Sequence, residues 1–213
     1  MVNSNGTKPM HIAIAGNIGS GKTTLTSLLA KHYGWEAHYE IANDNPYIDD
    51  FYKNMKGWSF NMQVYFLNSR MSQIMKIRES GKTVVQDRTL YEDAYIFATN
   101  LHEMDLMSTR DFDNYFSLFQ LCSNLIQPPD LTIYLRASVP NLVKRIQSRS
   151  RDYENNISLM YLQKLNHRYE TWIQSFSQGK YLIIDTDKLD FIENQEDLSK
   201  VINKIDADLF GLF

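Results

Sequence analysis

Eight consecutive residues constrain this chain more than any other feature: Gly16-Asn17-Ile18-Gly19-Ser20-Gly21-Lys22-Thr23, which fits the pattern GxxxxGK[ST]. Glycines at this spacing let successive backbone N–H groups curl around an anion, and the first turn of a following helix adds positive potential. Lys22 can reach the β- and γ-phosphates of a nucleotide, the hydroxyl of Thr23 can ligate Mg²⁺, and Thr24 adjoins them. The pattern works only between a buried strand and a helix. Residues 11–15 (HIAIA) supply a short apolar strand, and residues 23–33 place Leu25, Leu28 and Leu29 at helical spacing. A glycine-rich turn matching by accident would lack that context. The loop implies a nucleotide without saying which reaction.

The alternation continues downstream. Further strands are expected at 35–40, 83–86 (TVVQ), 131–135 (LTIYL) and 181–184 (YLII). Helices are expected at 58–79, 91–100, 109–127, 140–149, 159–176 and 195–209, with Gly81 and Pro128-Pro129 as stop signals. Short apolar strands separated by long helices imply a five-stranded parallel sheet covered on both faces, a three-layer α/β architecture. A length of 213 residues suits one domain, 10–213, with a mobile lid, behind a loose polar tail at 1–9. Hydrophobic residues make up 43%, enough for a full core.

Several function classes drop out. A net charge of −3 and a pI near 5.9 lack the basic surplus of a nucleic-acid binder. The single cysteine, Cys122, excludes an intramolecular disulfide and a multi-cysteine metal site. The tail has no apolar signal-peptide core, and no apolar run approaches the ~20 residues that span a membrane; a cytoplasmic location is the expectation. Asn203-Lys204-Ile205-Asp206 matches the guanine-reading NKxD of GTPases, and Asp208 to Gly211 matches DxxG. Their order is reversed, and Val201, Ile202, Ile205 and Leu209 form one helical stripe, so both read as polar faces of a terminal helix.

A nucleoside hydroxyl is a weak, neutral nucleophile and gains from a positioned base. Glu40 closes the second expected strand at the carboxyl edge of the sheet, where α/β ligands bind. Asp87-Arg88 follows the strand TVVQ in the same way. The aspartate can hold Mg²⁺ and the arginine can orient an acceptor oxygen or a base. Singly, each reads equally as a solvated carboxylate or a surface ion pair. A nucleoside monophosphate acceptor would instead call for arginines, so a thymidylate-type monophosphate kinase stands as the alternative.

Beyond the phosphate loop, the chain carries Glu40, Trp58-Ser59-Phe60 leading to Gln63, Ser69-Arg70, Asp87-Arg88-Thr89, Tyr91-Glu92-Asp93 and a stretch from Arg145 to Glu154. In order and spacing it resembles the deoxynucleoside kinases, the family of deoxycytidine, deoxyguanosine and bacterial deoxyadenosine kinases. That resemblance implies a P-loop kinase fold, ATP as phosphate donor, Mg²⁺, and transfer to a deoxyribonucleoside 5′-hydroxyl. Glu40 matches the base and Arg88 the residue that binds the acceptor oxygen and Glu40. Tyr52 and Glu154 match the positions holding the sugar 3′-hydroxyl. Gln63 matches the amide reading the nucleobase, with Arg70 and Asp93 a charged pair beside the base edge. Trp58, Met62, Phe66 and Phe97 match apolar walls, although the first three read equally as helix core. Many relatives have Glu-Arg-Ser where this chain has Asp-Arg-Thr.

Lys144, Arg145, Arg149 and Arg151 cluster, with Arg145 and Arg149 four apart on one helix face. By itself such a cluster reads as a solvated basic face. In the family it is an arginine-rich lid, here about 145–157, that closes over the phosphates. Residues 185–191, with Asp187, Asp190 and Phe191, match a loop over the donor's adenine. Gln63 offers one donor and one acceptor, a fit to adenine or cytosine. The stretch Asp44-Asn45-Pro46-Tyr47 is similar to deoxyadenosine-type enzymes, so deoxyadenosine ranks first, before deoxyguanosine and deoxycytidine. The partners implied are small nucleosides and nucleotides, and a second copy in a homodimer, with helices 58–79 and 109–127 as candidate interfaces.

Overall fold

The computed structural model describes residues 8–40, 45–149 and 157–211. The outer part of the tail, Arg151 and Glu154 lie outside the described residues. Five strands form one parallel sheet: β1 His11–Gly16, β2 Glu36–His38, β3 Val84–Asp87, β4 Leu131–Arg136 and β5 Tyr181–Asp185, in the order β2-β3-β1-β4-β5. Ile12, Ala13, Ile14 and Ala15 are all 0% exposed, as a central strand covered on both faces requires. Ile14 lies opposite Asp87 on one side and Ile133 on the other. The end of β1 therefore stands beside the Asp87-Arg88 turn. The chain builds first toward β3 and β2 and later crosses to β4 and β5, which opens a crevice at the carboxyl end of β1.

One face is covered by α1 Lys22–Tyr33 and α9 Gln195–Phe210. There Leu25, Leu29, Val201 and Ile205 pack with Ile12, Ile14, Val85 and Ile133. The other face carries α3 Met55–Ser80, α6 Thr109–Asn124 and α8 Leu159–Gln174. Its core gathers Phe66, Leu67, Tyr115, Phe119, Leu165 and Tyr169 around Ala15 and Tyr134. The tetrapeptide Asn203 to Asp206 lies inside α9, as its apolar stripe implied. Among the described residues no helix is long and apolar enough to cross a membrane.

Three local departures from the sequence expectation shape the site. Strand β2 has 3 residues rather than the six expected. Among the described residues it is an edge strand paired only with β3, and Trp35 stacks on Tyr33 at 4.1 Å, so its bulk packs against the end of α1. Glu40 thus stands on a loop beyond the strand rather than at its end. A short helix, α2 Ile48–Lys53, was not expected. Asp49 and Asp50 in its first turn complement its dipole, and Phe51 at 0% exposure anchors it. The helix expected at 91–100 is α4 Leu90–Glu92, a π-helical segment Asp93–Ala98, and α5 Thr99–Glu103. A capping box between Thr89 and Glu92 starts it.

Candidate functional site

The phosphate loop is folded around its glycines. At Gly16, with φ +152°, a Cβ would stand 2.6 Å from Ser20 Oγ and 2.9 Å from the Leu135 carbonyl oxygen. At Gly19, with φ +84°, it would stand 2.9 Å from Ile146 Cγ1 on α7 Val139–Arg149. Any larger residue would push the loop off the sheet edge or off α7. Lys22 is 6% exposed and donates from Nζ to the Asn17 carbonyl at 2.9 Å. Burial, reinforced by the Arg88 charge, draws its ammonium down to about 7 against the pull of Asp87, Glu40 and Glu92. A bound phosphate would supply the missing negative charge.

Thr23 Oγ1 donates to Asp87 Oδ2 at 2.6 Å. Asp87 is 0% exposed, and its Oδ1 has no hydrogen-bond partner among the described residues. One carboxylate with a spare oxygen beside one hydroxyl is the hard-oxygen set that Mg²⁺ takes together with phosphates and water. Among the described residues no group of three or more His, Cys, Asp or Glu could hold a metal. Mg²⁺ in nucleotide sites needs only one or two carboxylates.

Beside the loop lies a cross-braced ion cluster. Arg88 has a left-handed backbone at φ 71°, a strain of about 1–3 kcal/mol that surrounding contacts must hold in place. Its N–H donates to the Ile14 carbonyl at 2.9 Å, locking the turn to β1. Its Nε stands 2.8 Å from Glu40 Oε1, and its guanidinium lies 4.8 Å from the centre of the Phe97 ring. Arg70 Nη2 reaches the same Glu40 oxygen at 3.1 Å, while its Nε pairs with Asp93 Oδ2 at 3.2 Å. Its Nη1 donates to the Asp87 carbonyl at 3.0 Å. Burial alone would raise the Glu40 carboxyl, but Arg88, Arg70 and Lys22 outweigh it and hold it at about 2. Asp93 goes the other way: burial pushes it up to about 6 despite Arg70, with Glu40 and Glu92 adding their repulsion.

Of these groups Glu40, Arg88 and Asp93 line a cleft beside the phosphate loop, while Arg70 and Asp87 are not part of its lining. Ile18, Lys22 and Thr23 form its phosphate-loop side, next to Glu40 and Arg88. Tyr52, Met62, Gln63, Phe66, Asp93 and Phe97 form its inner walls. The wide turn of the π-helical segment presents Asp93 and Phe97 to the cleft while Ala94, Ile96 and Ala98 stay in the core. Gln63 is 1% exposed, and its Oε1 has no partner among the described residues. A buried acceptor left open this way asks for an N–H from a ligand. Trp58 is set apart from this lining and sits half-buried, its ring 5.8 Å from that of Tyr47.

The basic cluster divides. Arg149, at the end of α7, lines the cleft. Arg145, one turn earlier, turns to a second groove and donates to Thr186 Oγ1 at 2.9 Å and to the Thr186 carbonyl at 2.7 Å. That groove runs past Ser20, Asp187, Asp190 and Phe191. Asp187 accepts from Ser138 N and Asn141 Nδ2, fixing the start of α7. Phe191 is 3% exposed and packs on the phosphate loop, where a Cβ on Gly21 would lie 3.2 Å from its ring. Thr24 is half-buried in the first turn of α1.

The residue reading gave no role to several groups found here. Tyr161 and Ile48 line the cleft, Thr186 holds Arg145, and Tyr169 donates to Glu92 at 2.8 Å. Tyr161 and Tyr169 sit on the buried stripe of α8 and look like ordinary core in sequence. Ile48 belongs to the helix the sequence did not suggest. Glu92 had one legible signal, the Thr89-to-Glu92 spacing of a capping box.

The deoxynucleoside kinase family model matches residues 12–210. The chain is 39% identical over 209 residues to the deoxyadenosine kinase of Dictyostelium discoideum, covering 94% of this chain and 85% of that one. It is 35% identical over 196 residues to the deoxyadenosine/deoxycytidine kinase of Bacillus subtilis, covering 91% and 90%. Among solved structures, it superposes with a TM-score of 0.82 on deoxyadenosine kinase from M. mycoides with the products dCMP and dCDP bound, at 29% identity over 93% of this chain and 100% of that one. Joined to a phosphate loop facing a carboxylate-bearing cleft, this match over nearly the whole length means that the chain belongs to the deoxynucleoside kinase family.

Proposed function

We propose that the protein transfers the γ-phosphoryl group of ATP to the 5′-hydroxyl of a deoxyribonucleoside, with deoxyadenosine preferred over deoxyguanosine and deoxycytidine. One observation carries this reading: Glu40, clamped by Arg88 and Arg70, faces the phosphate loop across a cleft that also holds Gln63. The clamped carboxylate is ionised at every physiological pH. It accepts a hydrogen bond from the 5′-hydroxyl and orients it, and it takes the proton as the bond to phosphorus forms. A loose phosphoryl-transfer transition state asks for positioning before strong basicity. Both arginines are already committed to carboxylates. A monophosphate acceptor would need such cations for itself, which weighs against a thymidylate-type kinase.

Lys22 and the loop N–H groups hold the donor phosphates, and Arg149 and Arg151 are assigned as further cationic partners of those phosphates. Thr23 and Asp87 would hold Mg²⁺, which when bound neutralises charge on the β- and γ-phosphates. Gln63 reads the edge of the base between Met62, Phe66 and Phe97, with Arg70 and Asp93 beside it. Tyr52 and Glu154 are the residues assigned to the 3′-hydroxyl, a contact that favours deoxyribose over ribose. The groove at Asp187, Asp190 and Phe191 takes the donor base, with Arg145 shaping its wall. We further propose a cytoplasmic homodimer; sedimentation giving twice the 24.9 kDa chain mass tests the dimer.

The deciding assay is coupled ADP release with ATP and Mg²⁺ across four deoxynucleosides, adenosine and the deoxynucleoside monophosphates. Strong turnover with deoxyadenosine, weak turnover with adenosine and none with monophosphates supports the reading. Turnover confined to a monophosphate overturns it.

A further inference from the structure

We propose that Glu92 is a positioning residue whose buried carboxylate holds the Arg88 guanidinium against Glu40 and ties that pair to the phosphate loop. The inference rests on the reading of Glu40 and Arg88 as the acceptor-side pair. Glu92 is 0% exposed and does not line the cleft, so it acts through other groups. Its Oε2 accepts from Thr89 N at 2.8 Å, which is half of the capping box. That accounts for one oxygen. The other, Oε1, accepts from Gly16 N at 3.1 Å, from the Tyr169 hydroxyl at 2.8 Å and from Arg88 Nη1 at 3.4 Å. One oxygen therefore joins the mouth of the phosphate loop, the Asp87-Arg88 turn and α8, three elements far apart in sequence.

Arg88 needs such an anchor. Its backbone is left-handed, and its guanidinium must present one edge to Glu40 without rotating away. The opposite edge, Nη1, is fixed by the Gly16 carbonyl at 3.2 Å, the Tyr169 hydroxyl at 3.1 Å and Glu92. Glu92 supplies the only full charge among these three. A helix cap would be served equally by glutamine. An anchor for three donors would not, because the amide keeps an acceptor for Thr89 N and turns N–H groups toward Gly16, Tyr169 and Arg88.

The test measures kcat, KM for nucleoside and ATP, and thermal unfolding for Glu92→Gln, Tyr169→Phe, Arg88→Lys and the double variant Glu92→Gln/Arg88→Lys. Glu92→Gln is expected to lower kcat about tenfold, the scale of one charge-assisted hydrogen bond, with both KM values within about twofold. In the Arg88→Lys background the same substitution should lower kcat little further, because its target is gone. Unchanged kcat, or an equal loss in both backgrounds, overturns the inference. Should Glu92→Gln not fold, Tyr169→Phe carries the test: it withdraws one donor from Glu92 and one anchor from Arg88, and a retained kcat overturns the inference. Arg88→Lys with undiminished kcat would instead refute the acceptor-side reading on which the inference rests.

Discussion

The cleft and the neighbouring groove flank one phosphate loop yet are built on opposite plans. At the cleft, Glu40, Arg88 and Asp93, with Arg70 joining them, come from different elements and brace one another below the surface. In the groove, carboxylates spend their oxygens nearby in the chain or on a single helix start. Asp190 Oδ1 accepts from Ile192 N and Glu193 N, and Asp187 caps the start of α7. Asp187, Asp190 and Glu193 are exposed, whereas Asp87 and Asp93 are buried. A charge held by several distant partners in low dielectric is expensive to disturb, while an exposed turn carboxylate is cheap to replace. On the proposed reading chemistry and base choice belong to the cleft, and the groove should tolerate substitution better.

The sharpest way to break this contrast is Glu40→Gln. It should lower kcat by about 10³-fold, within the span of general-base removal, and lower the unfolding temperature as well, because Arg88 and Arg70 lose their shared carboxylate; a kcat loss below about tenfold would mean that the cluster is structural. Next, Gln63→Leu should cost about 10- to 100-fold in kcat/KM for deoxyadenosine by leaving the base edge unpaired, with KM for ATP unaltered. A parallel loss against ATP would erase the division between the two regions. On the groove side, Arg145→Ala removes two hydrogen bonds to Thr186. Steady-state kinetics should show KM for ATP raised about fivefold and nucleoside KM unmoved.

The smallest effect is a proton count at the shared loop. Lys22, drawn down to about 7 by burial, is mostly neutral at pH 8 and mostly charged at pH 6. Phosphate favours the ammonium, so nucleotide binding raises its pKa. Binding should take up close to one proton per site at pH 8, and far less at pH 6, in calorimetry across buffers of different ionisation enthalpy. Equal uptake at both pH values would mean that Lys22 is charged before nucleotide arrives.

Most strands, the long helices and the phosphate loop were legible in the residues alone, because each is written in local periodicity, whereas α2 and the short extent of β2 were not. Apolar runs such as HIAIA and LTIYL need no distant partner to be read, and the glycines of the loop state their own backbone demands. Glu40, Gln63, Arg70, Arg88 and Asp93 were legible as candidates through motif order. Their meeting was not: the clamp joins residues 40, 70, 88 and 93, and only the packing of α3 beside β3 and against the π-helical segment brings them within hydrogen-bond distance. The division of Arg145 from Arg149 likewise follows from where α7 meets the turn at Thr186 beyond β5, although one helix face suggested a shared target. The π-helical turn leaves no periodic trace, since a single widened turn is lost against 3.6-residue spacing. Glu92 shows the limit most plainly. Its capping oxygen can be read three residues after Thr89, while its other oxygen answers to Gly16 and Tyr169, partners that only the folded chain brings to it.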